Sequence, residues 1–265
     1  MINFESMAEA VAELVYKTSD FIRTEASHFT FDKVEKKGKN DLVSYVDKES
    51  ERKLVKILLE LIPESGFITE EGTIQKSGDC YTWIIDPLDG TTNFIHGIPT
   101  FSVSIALMEY EEIVFGLVYE INRNEMFYSW KGGGVFLNRK EILVSKNSQF
   151  SNSLLATGFP YTQFEEVDKY LALLKVLMKE SQGIRRIGSA AVDLAYVACG
   201  RFEGYFEFNI NSWDIAAGMF LVRMAGGIVT DFSGQAEVFK TRQMVATNGL
   251  IHFKLLESIN EHFIN

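Results

Sequence analysis

One segment constrains the fold more than any other: Trp83-Ile84-Ile85-Asp86-Pro87-Leu88-Asp89-Gly90-Thr91-Thr92-Asn93-Phe94. Its apolar opening reads as a strand, and two aspartates three positions apart stand at the strand's end. Pro87 stiffens the link between them. Gly90 permits a tight turn, and Thr91-Thr92-Asn93 looks like the start of a helix. The pattern fits two carboxylates gripping hard cations beside a helix start that can hold an anion. Carboxylate and carbonyl oxygens suit Mg²⁺ and disfavour zinc or copper. Read without chemistry, the same residues make a strand, a turn containing Asp89, and a helix capped by Thr91.

Two more acidic clusters stand at element ends. Ile68-Thr69-Glu70-Glu71-Gly72 places two glutamates after an apolar pair. Asn211-Ser212-Trp213-Asp214-Ile215-Ala216-Ala217-Gly218 places Asp214 in the first turn of an apolar helix. Taken singly, Asp214 is a first-turn acid favoured by the helix dipole, and Glu70 is solvated surface. Three such clusters beside apolar segments in one chain point to a shared site.

The rest of the chain mixes helix and strand. Phe4, Met7, Ala8, Val11, Leu14, Val15, Phe21 and Ile22 recur at helical spacing, which predicts a long amphipathic helix from Phe4 to about Ala26. Phe31 to Asn40 is lysine-rich and reads as a loop. Asp47 to Leu61 is a second helix, stopped by Pro63. Tyr81 to Asp86 and Phe101 to Met108 are strands. Glu112 to Glu120 and Glu125 to Trp130 form a hairpin around Asn122-Arg123-Asn124, and Gly132-Gly133-Gly134 turns the chain. Beyond it come a strand at Ser153 to Thr157, a helix from about Phe164 to Lys179, and a helix opened by Ser189 and ended by Gly200. Gly204 to Phe208 is a strand, Trp213 to Ala225 a helix, and Ile228 to Thr230 and Met244 to Thr247 are core strands before a C-terminal helix. Residues 1–145 form an N-terminal half of helices and antiparallel strands carrying most of the candidate ligands. Residues 146–265 form a C-terminal α/β half that supplies Asp214 and the substrate side. No repeat or linker separates them, so they pack closely as one unit.

Composition narrows the function. The chain has 265 residues, long enough to bury roughly 74% of its unfolded surface without disulfides. Its 26 basic and 36 acidic side chains leave a net charge of −10, which disfavours nucleic acid as the main partner. No apolar run reaches about 18 residues, so no membrane span is expected, and the opening residues carry no secretion signal. Cys80 and Cys199 stand far apart in no metal-ligand pattern, which fits a reduced, cytoplasmic chain without structural zinc.

With these residues in place, the chain resembles the inositol monophosphatase family of Mg²⁺-dependent, lithium-sensitive phosphatases. The family's signatures are a Glu-Glu pair, Asp-Pro-(Ile/Leu)-Asp-Gly-Thr, and Trp-Asp-x-Ala-Ala/Gly. All three are present and in order, and the likeness spans the chain, including Thr157-Gly158-Phe159-Pro160. It implies an α+β / α/β fold, the layered αβαβα sandwich of the sugar phosphatases, and a homodimer. It implies that Glu70, Asp86 and the Leu88 carbonyl hold one Mg²⁺, that Asp86, Asp89 and Asp214 hold a second, and that Glu70 helps a third through waters. Gly90, Thr91 and Thr92 would receive the phosphate. Gly188, Ser189, Ala190 and Glu207 would line the polyol side. Asp41 and Asp47 match the family's Asp-x-Val-Thr-x-x-Asp, with Ser44 in place of Thr. Thr69 precedes Glu70 where many members carry glycine, a departure that bears on loop flexibility more than on metal binding.

A small phosphorylated polyol or sugar is then the substrate, with inositol 1-phosphate first and fructose 1,6-bisphosphate the nearest alternative. Metal ions lower the pKa of bound water, and Thr91, paired with Asp47, and Glu70 are candidates to orient that water and take its proton. Direct in-line attack without a phosphoenzyme follows, because no cysteine or histidine occupies a motif position. His96 reads as structural. An Asp-x-Asp phosphatase fails on spacing, and a P-loop fails because Gly132-Gly133-Gly134 has no following lysine motif. Within the family, Thr92-Asn93 favours the inositol or sugar monophosphatases over the nucleotide and histidinol phosphatases. A protein-binding role that replaces catalysis conflicts with the intact acids; one alongside catalysis stays open.

Overall fold

The computed structural model describes residues 2–30, 34–38, 41–159 and 165–263, of which 35–38 and 41–43 are described as backbone. Helix α1 (Phe4–Ala26) buries the stripe Met7, Ala8, Val11, Leu14, Val15 and Ile22, and its first turn is capped by Asn3, whose side chain accepts from the Ser6 amide. A two-stranded hairpin follows, β1 (Val34–Gly38) against β2 (Asp41–Ser44). Within the stretch read as a loop, residues 34–38 are therefore a strand. Val34-Glu35-Lys36-Lys37-Gly38 shows no alternation, and cross-strand pairing rather than side-chain pattern makes it extended. Helix α2 (Tyr45–Leu61) then packs beside α1, burying Val46, Leu54, Val55 and Leu58.

These helices cover one face of a seven-stranded sheet of β3 (Gly66–Thr69), β4 (Tyr81–Asp89), β5 (Ser102–Glu109), β6 (Glu112–Glu120), β7 (Glu125–Trp130), β8 (Val135–Leu137) and β9 (Lys140–Glu141), in that order. Only β3 and β4 run parallel, so their C-terminal ends open on the same side. A five-residue helix, α3 (Thr91–Ile95), follows β4. A second sheet runs β11 (Gly183–Arg185), β10 (Leu154–Thr157), β12 (Gly204–Phe208), β14 (Gln243–Thr247), β13 (Ile228–Thr230). Its outer face carries α4 (Val167–Glu180) and α8 (His252–Phe263), and a one-turn helix, α7 (Val238–Thr241), precedes β14. Between the sheets lie α5 (Ala190–Ala198) and α6 (Ser212–Met224), sharing one apolar cluster with both. The order of layers is α1/α2, seven strands, α5/α6, five strands, α4/α8: a layered αβαβα sandwich, as the sequence implied.

Two details position the site. Strand β4 continues past Asp86 to Asp89, with a bulge between the pairs Asp86–Ser104 and Asp89–Ser102. An interior strand tolerates Pro87 at such a bulge, where no ladder amide is needed. On β5, Val103, Ile105 and Leu107 enter the core under α1 and α2, while small Ser102, Ser104 and Ala106 face α5 and α6. Gly116 on β6 lies under α6, where an added Cβ would sit 2.9 Å from the Ala217 carbonyl oxygen. This small-residue floor lets α6 settle low enough to bring Asp214 to the end of β4. The sequence missed β3, β8, β9 and β11, which are too short to show a period. Helix α4 begins at Val167; Phe164, its expected start, and Pro160 lie outside the described residues.

Candidate active site

The end of β4, the end of β3 and the start of α6 converge. Carboxylate oxygens of Asp86, Asp89 and Asp214 all lie within 4.8 Å of one another. Glu70, just past β3, is held in register by its amide, which donates to the Ile85 carbonyl at 3.3 Å. Burial drives the Asp86 carboxyl well above the usual range, and the neighbouring Glu70, Asp89 and Asp214 carboxylates push it further. Burial raises Asp214 to about 8, with Asp89 adding to the rise. Asp89 is raised to about 6 by burial, against hydrogen bonds from Ser189 and the backbone of α5 that favour its charge. None of the three aspartates takes part in an ion pair among the described residues. Like charges gathered this closely are costly, and hard divalent ions compensate them. The all-oxygen donor set fits Mg²⁺.

A second group of hydrogen bonds flanks this cluster. Gly90 takes φ +94°, the left-handed turn from β4 into α3. The Thr91 hydroxyl lies 2.9 Å from Asp47 Oδ1 and 3.0 Å from the Leu88 carbonyl oxygen, two acceptors for its one proton. Asp47 is fully buried. Its other oxygen accepts from the Ser44 amide at 2.9 Å and the Ser44 hydroxyl at 2.6 Å, so serine serves in place of threonine. Burial raises the Asp47 carboxyl, while Ser44 and Thr91 pull it back.

A family model described as the inositol monophosphatase family matches residues 3–263. The chain belongs to the inositol monophosphatase family. It is 44% identical over 231 residues to the putative Nus factor SuhB of Neisseria meningitidis serogroup B, covering 87% of this chain and 88% of that one. It is 40% identical over 231 residues to the fructose-1,6-bisphosphatase/inositol-1-monophosphatase of Thermotoga maritima, covering 87% of each. The crystal structure of the extragenic suppressor protein suhB from Bartonella henselae superposes with a TM-score of 0.91 at 36% identity, covering 97% of this chain and 99% of that one. Among the described residues no helix is long and apolar enough to cross a membrane.

The remaining residues of this inositol monophosphatase family member divide in two. Thr92 lies beside Gly90 and Thr91 in the first turn of α3, where amides lack intrahelical partners. Gly188 packs its carbonyl near Gly90, and Ala190 opens α5. Ser189 is buried, and its hydroxyl donates to Asp89 Oδ2 at 2.6 Å, joined there by the Ala191 amide at 2.8 Å. Ser189 thus supports the acidic cluster from the far sheet's side. Glu207 is buried on the central strand β12, so it is no edge-strand surface residue. It accepts from the Tyr205 hydroxyl and packs against Gly158, and burial raises it to about 7. The Asp41 side chain lies outside the described residues, and His96 is exposed at the end of α3. Arg186, which the sequence reading passed over, is exposed; its guanidinium opposes the rise of both Asp89 and Glu207. The Arg185-Arg186 pair just ahead of Gly188 was the available signal.

Proposed function

We propose that the chain is a Mg²⁺-dependent phosphomonoesterase whose substrate is a phosphorylated polyol or sugar, inositol 1-phosphate foremost. The observation that carries this is the meeting of Asp86, Asp89 and Asp214 beside the Thr91–Asp47 pair. Glu70, Asp86, the Leu88 carbonyl, Asp89 and Asp214 would hold the ions, two to three in all. When bound, these ions neutralise phosphate charge and make water a better nucleophile near neutral pH. Thr91, donating to Asp47, keeps its lone pairs for the incoming water and orients it for in-line attack. Asp47 and Glu70 are the carboxylates placed to take up its proton. Gly90, Thr91 and Thr92 offer first-turn amides and hydroxyls to the phosphate oxygens. Gly188, Ala190 and Glu207 border the space for the ring, and Ser189 acts through Asp89. Attack by water leaves no phosphoenzyme.

Two related readings stand beside this one. The Thermotoga maritima relative's name joins fructose-1,6-bisphosphatase to inositol-1-monophosphatase, which supports fructose 1,6-bisphosphate as a second substrate. The Neisseria meningitidis relative's name, putative Nus factor, supports a protein-binding role alongside catalysis. A cytoplasmic homodimer sensitive to lithium completes the proposal; light scattering and lithium titration check those points. The deciding experiment is relative kcat/KM over a panel of phosphate esters with Mg²⁺ and with chelator. Inositol 1-phosphate leading the panel, with loss of turnover on chelation, supports the reading. Full turnover in chelator, or no hydrolysis of any ester, overturns it.

A further inference from the structure

Glu51 lies one helical turn after Asp47 on α2 and is completely buried. It is absent from the described ion pairs. Neutral donors satisfy it instead, and all of them come from the segment around Glu70. Its Oε1 accepts from the Thr69 hydroxyl at 2.9 Å, the Thr73 amide at 2.7 Å and the Thr73 hydroxyl at 2.7 Å. Its Oε2 accepts from the Glu71 amide at 2.8 Å. The bonds straddle Glu70: one on the residue before it, one on the residue after it, and two on Thr73 beyond. A desolvated carboxylate is tolerable only when its lone pairs are filled, so this segment is locked to α2.

We propose that Glu51 is a positioning residue that fixes the Glu70 loop at the metal site and sets the site's affinity for its ions. The inference rests on the reading of Glu70 as a metal ligand. Residues four apart share a helix face, so Asp47 and Glu51 project from α2 side by side. Asp47 holds the Thr91 hydroxyl, and Glu51 holds the backbone on both sides of Glu70. One rigid helix thereby sets the separation of the two groups assigned to the attacking water. Thr69 gains meaning from the same geometry: its hydroxyl supplies one of these four bonds, so the residue at this position bears on the placement of Glu70.

The test is Glu51→Gln. A glutamine keeps the shape and the Oε1 acceptor, but it turns an NH2 group toward the Glu71 amide, donor against donor. The variant is compared with wild type and with Thr73→Ala, which deletes one of the four bonds from a half-buried loop residue and spares the helix. Three measurements are made: Mg²⁺ affinity by calorimetry without substrate, amide exchange at Glu71 and Thr73 in chelator, and steady-state kinetics at saturating Mg²⁺. Glu51→Gln is expected to weaken Mg²⁺ binding by about ten- to a hundredfold, the usual scale for groups that orient metal ligands. It is also expected to speed exchange at Glu71 and leave substrate KM at saturating Mg²⁺ within about twofold. Thr73→Ala moves the first two readouts the same way by a smaller factor and decides the matter if Glu51→Gln does not fold. Unchanged Mg²⁺ affinity in the folded variants overturns the assignment of Glu51. A wild-type protein that neither binds Mg²⁺ nor hydrolyses phosphate esters overturns the functional reading beneath it.

Discussion

Removing divalent ions changes how the stability of this protein depends on pH. Burial raises Asp89 from 3.8 to about 6 and Asp214 from 3.8 to about 8, with neighbouring Asp89 adding to the latter. A carboxyl whose pKa is higher in the folded state than in the unfolded chain holds its proton more tightly when folded. Its stabilising share is complete below about pH 4 and is lost as pH rises through the folded value. For Asp89 alone, the step from 3.8 to about 6 corresponds to ~3 kcal/mol. At ~2–4 °C per kcal/mol for a chain of this size, that is roughly 6–12 °C in melting temperature. The chelated protein therefore melts progressively lower between about pH 5 and about pH 8. Under the proposed function Mg²⁺ would bind the ionised carboxylates, and its addition is expected to remove most of that slope. Thermal melts across this range, in EDTA and in Mg²⁺, measure both effects. Asp214→Asn has no proton to lose there and shows a shallower slope in EDTA. That variant separates the cluster from the general repulsion in a chain of net charge −10. A chelated protein whose melting temperature is flat or rising over this range refutes the reasoning, as does an Asp214→Asn slope equal to wild type.

Other variants probe the chemistry. Asp89→Asn and Asp214→Asn each keep the shape but lose a charge facing the ions, so each is expected to fold and to lose most turnover, measured as kcat on inositol 1-phosphate with Mg²⁺. Thr91→Ala is expected to lower kcat more than it raises KM, because orientation of the water matters most in the transition state; steady-state kinetics showing a pure KM effect would reassign Thr91 to phosphate binding. Glu207→Gln is expected to cost roughly ten- to a hundredfold in kcat/KM on inositol 1-phosphate, the scale of one charge-assisted hydrogen bond, and to leave a small aryl phosphate nearly unaffected. Equal losses on both esters would make Glu207 a support of the fold.

Much of this was legible in the residues. The hairpin Glu112–Glu120 with Glu125–Trp130 and the strand Gly204–Phe208 have the bounds that pattern reading assigns, because alternation and turn chemistry agree there. The motif at the end of β4 also announces its acids. Its continuation through Pro87 was hidden, because proline argues against an interior strand and only the partner's register exposes the bulge. β3 escaped notice for a different reason: four residues show no period, and their extended form comes from parallel pairing with β4. Ser189 illustrates a third kind of blindness. Local sequence marks it as a helix cap, which it is, yet its hydroxyl also reaches Asp89, a hundred positions away. Glu51 carried a faint local signal, its spacing from Asp47, but the partners that give it purpose lie on another element.

The small-residue floor beneath α6 has a temporal consequence. Asp86 and Asp89 are synthesised early, on β4, while Asp214 arrives on α6 only after most of the second sheet's sequence has been made. The acidic cluster is therefore complete only once α6 has been made and has settled against Gly116 and Ser104. A nascent or truncated chain lacking α6 has two of the three carboxylates and no closed cage for an ion. Under the proposed function, ion capture would mark the completed molecule, and the bound charge would rivet the later-made helix to the earlier sheet. Catalytic competence would then be a certificate of finished folding.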